Sequence, residues 1–463
     1  MANVRAMGTD LTEGSIVKKL FSYALPMMLA TALQQVYGMV DMVVMGQFVG
    51  GSGLSAVNIG SEVVMLMTAI CMGFAMGSQI IIAQHVGAQK REALNGIIGT
   101  TFTVLFIGAL FATAVSLIFH KQILALLNTP PESLQGATEY MLIASSGLVF
   151  VYGYNTVAAI LRGMGDATRP LVFIAIASVI NIGLDLLFVG ALQMDAAGAA
   201  WATILAQGIS FLISLVYLYH RRVQFGFDFK LRSLRPVGDI VKKMFRLGIP
   251  GALQMSAINL SFLFITAKIN AYGVYASAAF GVGQRIERLP GIATRGLSQA
   301  VSAMVGQNFG AKKFDRIKKT TRISLLANGV VYVVFAALYL LFPETMFRLF
   351  TPDQPVVDLA RVVLWAMLLA YPFNILMNAY LGVVNGVGNA TLGLVLGLLD
   401  GVILRVGLAI LLGDVAGLGL QGFVMGYSLA ALGTAVPAAI YYFTGMWKRR
   451  KSLVKDAPAA EAA

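Results

Sequence analysis

Apolar stretches of about twenty residues or more, separated by short polar punctuation, follow one another along almost the whole chain, and a hydrocarbon core takes roughly that length of helix to cross. In lipid every backbone N–H and C=O must be bonded internally, which leaves only helices and closed barrels. The alternating pattern of barrel strands is missing. The sequence therefore specifies an all-α, polytopic membrane protein, with twelve crossings expected over residues 16–46, 53–83, 95–119, 133–160, 168–190, 197–219, 240–270, 277–306, 320–342, 356–384, 391–412 and 419–446. Only 12% of the residues are charged, against about 25% in a soluble domain.

The net charge is +13, which by itself would admit a nucleic-acid partner. The positions of the cations decide otherwise. With the N-terminus taken as cytoplasmic, Lys90–Arg91, the Arg221–Arg246 and Lys312–Arg322 stretches and Lys448–Lys455 all fall on the cytoplasmic side, as the positive-inside rule requires. The charge is read as orientation and lipid-headgroup contact, with both termini inside and no nucleic acid bound. Cys71 is the only cysteine, so one chain offers neither a disulfide nor a thiolate metal site, and it is expected to be a packing residue. The first apolar run is long and leads into further spans, so it is expected to be retained rather than cleaved.

The chain is written twice. A shift of 223 residues lays QHVGAQK at 84–90 over QNFGAKK at 307–313 and GMGDAT at 163–168 over GVGNAT at 386–391, and pairs Gly60 with Gly283, Gly73 with Gly296 and Gly190 with Gly413. Separated blocks that agree on one offset identify an internal duplication. Six crossings are an even number, so the second half enters from the same side as the first, giving a parallel repeat about an axis along the membrane normal. The expected organisation is an N-terminal six-helix lobe over 1–220, a cytoplasmic linker over 221–239, a C-terminal six-helix lobe over 240–447 and a cytoplasmic tail over 448–463. Two such bundles around a cleft suit a carrier that works by alternating access.

Inside the crossings a few polar side chains stand out. A carboxylate at the centre of a membrane helix costs about 2.5 to 3.5 kcal/mol even on the lenient insertion scale, so it marks a functional candidate. Ser178, Asn181 and Asp185 are spaced by three and four residues and share one face of the fifth crossing, and Gln34, Tyr37 and Asp41 repeat that spacing in the first. Both acids are expected in the outer half of the membrane, where the two stripes meet. Two carboxylates in a low-dielectric site cannot both stay ionised, so a proton or a cation such as Na⁺ is expected to accompany them. In the second half, Asn181 and Asp185 map to Leu404 and Leu408, and the first-crossing stripe maps to Ile258, Ser261 and Ile265. The acidic pair belongs to one lobe.

Other polar groups read as structural. Asp400 and Arg405 are expected to neutralise each other, as are Arg285, Glu287 and Arg288, while Lys268 is expected to snorkel and His85 to lie at the surface. Asp166 in GMGD invites comparison with an intramembrane aspartyl protease, but its repeat partner is Asn389, and an Asp/Asn pair at one place suits a turn or helix cap. No P-loop or histidine cluster is present, so neither ATP-driven pumping nor an enzyme is expected.

The segments LPMMLATALQQVYGMVDMVVMGQFVG, QIIIAQHVGAQK, LRGMGDATRP and NIGLDLLFVG together resemble the multidrug and toxic compound extrusion (MATE) family, in particular its DinF-like bacterial branch. The resemblance spans nearly the whole chain. It implies a two-lobe, twelve-helix exporter of the bacterial inner membrane that expels cationic or amphipathic drug-like compounds in exchange for H⁺ or Na⁺, as a monomer and without a cofactor beyond the coupling ion. It matches the family's cation site to Asp41, Asn181, Asp185 and Thr203, which would also hold Na⁺, and its substrate cavity or polar network to Tyr37, Tyr140 and Asn155. The sodium-coupled branch carries a glutamate where this chain has Ile258. The rival within transport is a flippase for a lipid-linked precursor, which would want Arg285, Arg288, Arg295 and Arg405 facing the cleft.

Overall fold

A computed structural model describes residues 9–127 and 129–454; residues 1–8, 128 and the end of the expected tail, 455–463, lie outside the described residues. The described residues form helices and no strand. The crossings are α1 (Ile16–Phe48), α2 (Gly50–Gly87), α3 (Leu94–Ile118), the bent pair α4 (Pro131–Ser146 and Leu148–Gly163), α5 (Thr168–Ala191) and α6 (Asp195–His220). The second set is α7 (Gly238–Asn270), α8 (Val274–Gly310), α9 (Phe314–Leu341), the bent pair α10 (Gln354–Leu368 and Tyr371–Gly386), α11 (Ala390–Val415) and α12 (Gly419–Phe443).

Nine of these are single helices long and apolar enough to cross a membrane, and the pairs in α4 and α10 bend by 46° and 44° at their breaks. The remaining segment, α8, has 37 residues, about 55 Å of helix at 1.5 Å per residue. Arg285, Glu287, Arg288 and Arg295 lower its hydropathy without shortening it.

The duplication is carried down to backbone detail. Gly165 and Gly388, 223 residues apart, are both left-handed (φ 89° and 76°), and so are Gln89 and Lys312 (φ 58° and 57°). Each half then starts its fifth helix with the same device. Asp166 Oδ1 accepts the N–H of Thr168 and of Arg169 at 3.1 and 3.2 Å, and Asn389 Oδ1 accepts the N–H of Leu392 at 3.4 Å. These are the helix caps the sequence led us to expect, and Asp166 also pairs with Arg169 at 3.2 Å.

By contact the chain divides into two units: Leu29–Ala252 make up nearly all of one, and Leu11–Met28 with the chain from Leu253 make up the other. Both divisions lie just beyond a proline inside a helix, Pro26 in α1 and Pro250 in α7. Each unit has close helix crossings built on equivalent glycines. A Cβ on Gly73 of α2 would fall 2.8 Å from Gly248 O and 2.9 Å from Ala252 N of α7, and one on Gly296 of α8 would fall 2.9 Å from Met28 N of α1. Small residues at such crossings let backbones approach, which drives helix association in lipid.

In the first unit an apolar cluster joins Val44 and Met45 of α1, Val57 and Val63 of α2, Met141 of α4 and Val189 of α5. In the second, a larger cluster runs from Ile265 and Ile269 through Phe280 and Tyr339 to Phe423. Cys71 is buried in a third cluster, as a packing residue.

Candidate functional site

The three-and-four spacing on α5 turns Ser178, Asn181 and Asp185 to the same buried side, at 4, 3 and 1% exposure. At Asp185 the α-helix gives way to a π-helical turn over Leu186–Ala191, a widening that recurs at functional sites. From α1, Asp41 is half-buried with its Oδ1 fully enclosed. The Asp41 and Asp185 carboxylates lie within electrostatic reach of each other. Tyr37 of α1 and Tyr140 of α4 are in reach of both acids, and Tyr140 is hydrogen-bonded to Thr203 of α6. Four helices of one unit thus converge. Val44 and Met45 beyond Asp41, Val189 beyond Asp185, and Ala199 and Ala200 before Thr203 belong to the same apolar cluster as Tyr140, so the polar group has a dry floor.

Burial without partners is the chemical signature of the place. Both carboxylate oxygens of Asp185, Oδ1 of Asp41, and the amide oxygen and nitrogen of Asn181 are enclosed and make no hydrogen bond. Buried polar groups are nearly always paired, and each exception asks for an explanation such as an ion or a proton. The donor set is made of carboxylate, amide and hydroxyl oxygens, the hard ligands that suit an alkali cation or a proton rather than a soft metal. Among the described residues no group of three His, Cys, Asp or Glu side chains is placed to hold a metal ion.

The other candidates are bonded within their own helices or exposed. Ser178 donates to Ile174 O at 2.8 Å and Asn155 to Val151 O at 2.8 Å, both within their own helices. Gln34 is exposed on α1.

In the second unit the sequence located the charges but not all of their partners. Asp400 and Arg405 pair at 2.8 Å, as expected. Glu287 does not pair along its own helix with Arg285 and Arg288, which are exposed. Residues one or two apart on a helix do not face each other, and Glu287 instead reaches Arg405 and Arg295 and is hydrogen-bonded to Tyr427. That Tyr427 lies across the bundle is a tertiary fact with no local signal. Lys268 pairs with Asp414 at 2.8 Å. His85, expected at the surface, is buried with Nδ1 bonded to Ile81 O at 2.8 Å.

The model of the MatE family matches residues 26–187 and again 250–411, once per half. The probable multidrug resistance protein YpnP of Bacillus subtilis (strain 168) is 31% identical over 447 residues, covering 96% of this chain and 98% of that protein. The multidrug export protein MepA of Staphylococcus haemolyticus (strain JCSC1435) is 23% identical, with 85% of this chain and 86% of that protein covered. Among solved structures, the outward-facing conformation of a multidrug resistance MATE family transporter of the MOP superfamily superposes with a TM-score of 0.89 at 22% identity, over 96% of this chain and all of that one.

Proposed function

The chain belongs to the MatE family, and on that premise we propose that it is a multidrug efflux transporter that exports cationic or amphipathic drug-like compounds in exchange for H⁺ or Na⁺. It does so by alternating access of two six-helix lobes, over 1–220 and 240–447, in a bacterial inner membrane with both termini in the cytoplasm. It acts as a monomer, without covalent chemistry and with the coupling ion as its only cofactor.

The observation that carries the coupling is the set of enclosed, unpartnered polar atoms on Asp41, Asn181 and Asp185. Asp41 and Asp185 take up the ion from outside, with Asn181 and Thr203 as further oxygen donors. Tyr37 and Tyr140 line the same place and exclude water from it. The ion supplies the positive charge that two facing carboxylates in a dry site require. Once neutralised, the acids no longer hold the N-terminal bundle in its water-accessible arrangement, and the bundle rearranges and releases the drug.

Arg405, one of the cations a flippase for a lipid-linked precursor would use, is committed to Asp400. Asp166, the acid a membrane protease would need, is spent on capping α5.

The test is uptake or release of a fluorescent organic cation by proteoliposomes under imposed H⁺ and Na⁺ gradients, each alone. Movement of the cation that follows one gradient and reverses with it supports the reading. Movement indifferent to both removes the coupling.

A further inference from the structure

The linker between α6 and α7 is folded rather than loose. Asn95 of α3 donates to Ser233 Oγ at 3.2 Å and accepts the N–H of Asp228 at 3.3 Å, and Thr100 of α3 accepts the N–H of Val237 at 3.0 Å. Phe225 and Phe227 are buried beneath it. The backbone is held left-handed at Gly226 (φ 66°) and, unusually for a bulky residue, at Phe229 (φ 56°). This arrangement frames an open groove of about 540 Å³ whose walls include Tyr219, Arg222, Val223, Asp228, Phe229 and Lys230, within the size range of ligand pockets.

The walls carry two cations, Arg222 and Lys230, against one carboxylate, Asp228. Arg222 lies 4.6 Å over the ring of Tyr219, a stacking that leaves the edges of the guanidinium open for a forked contact with an oxyanion. Among the described residues Arg222 forms no ion pair with a carboxylate. Asp228, the one acid among those walls, is exposed, and its carboxylate is engaged by the loop itself. Its carboxyl is held below the ordinary carboxylate range by hydrogen bonds from the Ser233 side chain and the Lys230 backbone N–H. Along the linker, Arg221, Arg232 and Arg235 are exposed, and so are two large apolar side chains, Val223 at 73% and Leu231 at 87%.

The place in the fold selects the ligand. Tyr219 and His220 end a membrane-crossing helix, so the groove opens at the depth of lipid headgroups, where aromatic and basic side chains concentrate. A water-facing anion site would have no use for Val223 and Leu231, whereas an acyl-bearing anion places phosphate on the cations and its glycerol and upper chains on the apolar rim. We propose that this groove binds the headgroup of an anionic phospholipid, with Arg222 and Lys230 on the phosphate and Tyr219, Val223 and Phe229 against the glycerol region. The site is separate from the acidic group of α1 and α5 and concerns how the transporter is seated in its bilayer.

The experiment is native mass spectrometry of the full-length protein in mild detergent, titrated with phosphatidylglycerol or phosphatidylcholine. Wild type is expected to retain the anionic lipid several-fold over the neutral one. Arg222→Gln with Lys230→Gln is expected to abolish the preference, while Lys318→Gln with Lys319→Gln, two exposed cations elsewhere, leaves it intact. No preference in wild type overturns the proposal whatever the variants do. Equal loss in the control pair also overturns it, since only bulk surface charge would then be at work. Displacement of the lipid by inorganic phosphate as readily as by excess phosphatidylglycerol overturns it too, because a free anion would then suffice.

Discussion

Arg405 Nη2 meets Asp400 Oδ1 at 2.8 Å across five residues of α11. In an α-helix, neighbours on the surface are three or four apart, and residues five apart diverge. Here the segment Leu399–Leu404 is π-helical, and the wider turn, with its i to i+5 bonding, brings the pair into register. Thr434 of α12 donates to the other carboxylate oxygen at 3.4 Å, and the Arg405 guanidinium lies 5.1 Å over the Tyr427 ring.

Both side chains are largely enclosed, at 12 and 7% exposure, so removing one partner strands the other. Arg405→Leu is expected to destabilise the protein by about 3 to 5 kcal/mol, the usual penalty for an uncompensated buried charge. Asp400→Asn should be milder, because Arg405 keeps Glu287 within reach. The double change Asp400→Asn with Arg405→Leu should recover only part of the loss, because Glu287 is still deprived of Arg405. Melting temperatures of the four proteins in one detergent give the order. Single variants as stable as wild type would show that the pair contributes nothing.

Asp400 and Arg405 illustrate what could be read from sequence. Two opposite charges in one apolar span announce a pair, but nothing local announces the π turn that aligns them. The span of α8 is read from its apolar stretch, although its four charges lower its hydropathy below that of the other crossings. Asp41 and Asp185 were legible because an acid in lipid is rare and helical spacing assigns it a face. Tyr140 and Thr203 came only through resemblance, since their meeting depends on how α4 packs on α6. The partners of Glu287 and the burial of His85 were hidden for the same reason, because both are set by neighbouring helices.

The segment that leads into α1 is clasped by α8. Leu11, fully buried, donates its N–H to Gln307 Oε1 at 3.0 Å and accepts from Asn308 Nδ2 at 3.1 Å, and Arg316 donates to Gly14 O at 2.9 Å. Gln307→Ala with Asn308→Ala would strand the peptide N–H of Leu11, at about 1 to 3 kcal/mol, while its C=O keeps the hydrogen bond from Arg316 Nη2 at 3.3 Å. Hydrogen exchange at residues 11–14 should accelerate by the corresponding factor while exchange within α2 stays unchanged. Unaltered protection of Leu11 would mean that other contacts hold the segment.

Backbone approach at Gly73 makes a sharper stability prediction. A methyl group there meets Gly248 O and Ala252 N inside 3 Å, and neither atom can swing away. Gly73→Ala should therefore cost about 1 to 3 kcal/mol through a forced shift of α2 against α7. Gly329 of α9 has nothing within 4 Å of its would-be Cβ, so Gly329→Ala should be neutral or stabilise by up to about 1 kcal/mol through helix propensity. Thermal unfolding of the two single variants side by side checks the contrast, and equal tolerance of both would show that α2 and α7 can slide apart freely.

The acidic site separates its members by what each side chain is already doing. Asp41→Asn or Asp185→Asn removes a carboxylate that has enclosed, unpartnered oxygens, and should reduce gradient-driven efflux to background in proteoliposomes while the protein stays folded. Ser178→Ala and Asn155→Ala remove groups already bonded within their own helices, and transport should remain near the wild-type level. The identity of the ion follows from the direction of the pH effect. A protonated carboxylate cannot also hold Na⁺, so under sodium coupling an acidic exterior should inhibit efflux and added external Na⁺ should restore it. Under proton coupling the same acidification should drive efflux, with Na⁺ indifferent. Full transport by both Asp→Asn variants would leave the coupling without a seat in this lobe, and the second half offers only Ile265 and Leu408 at the positions equivalent to the two acids.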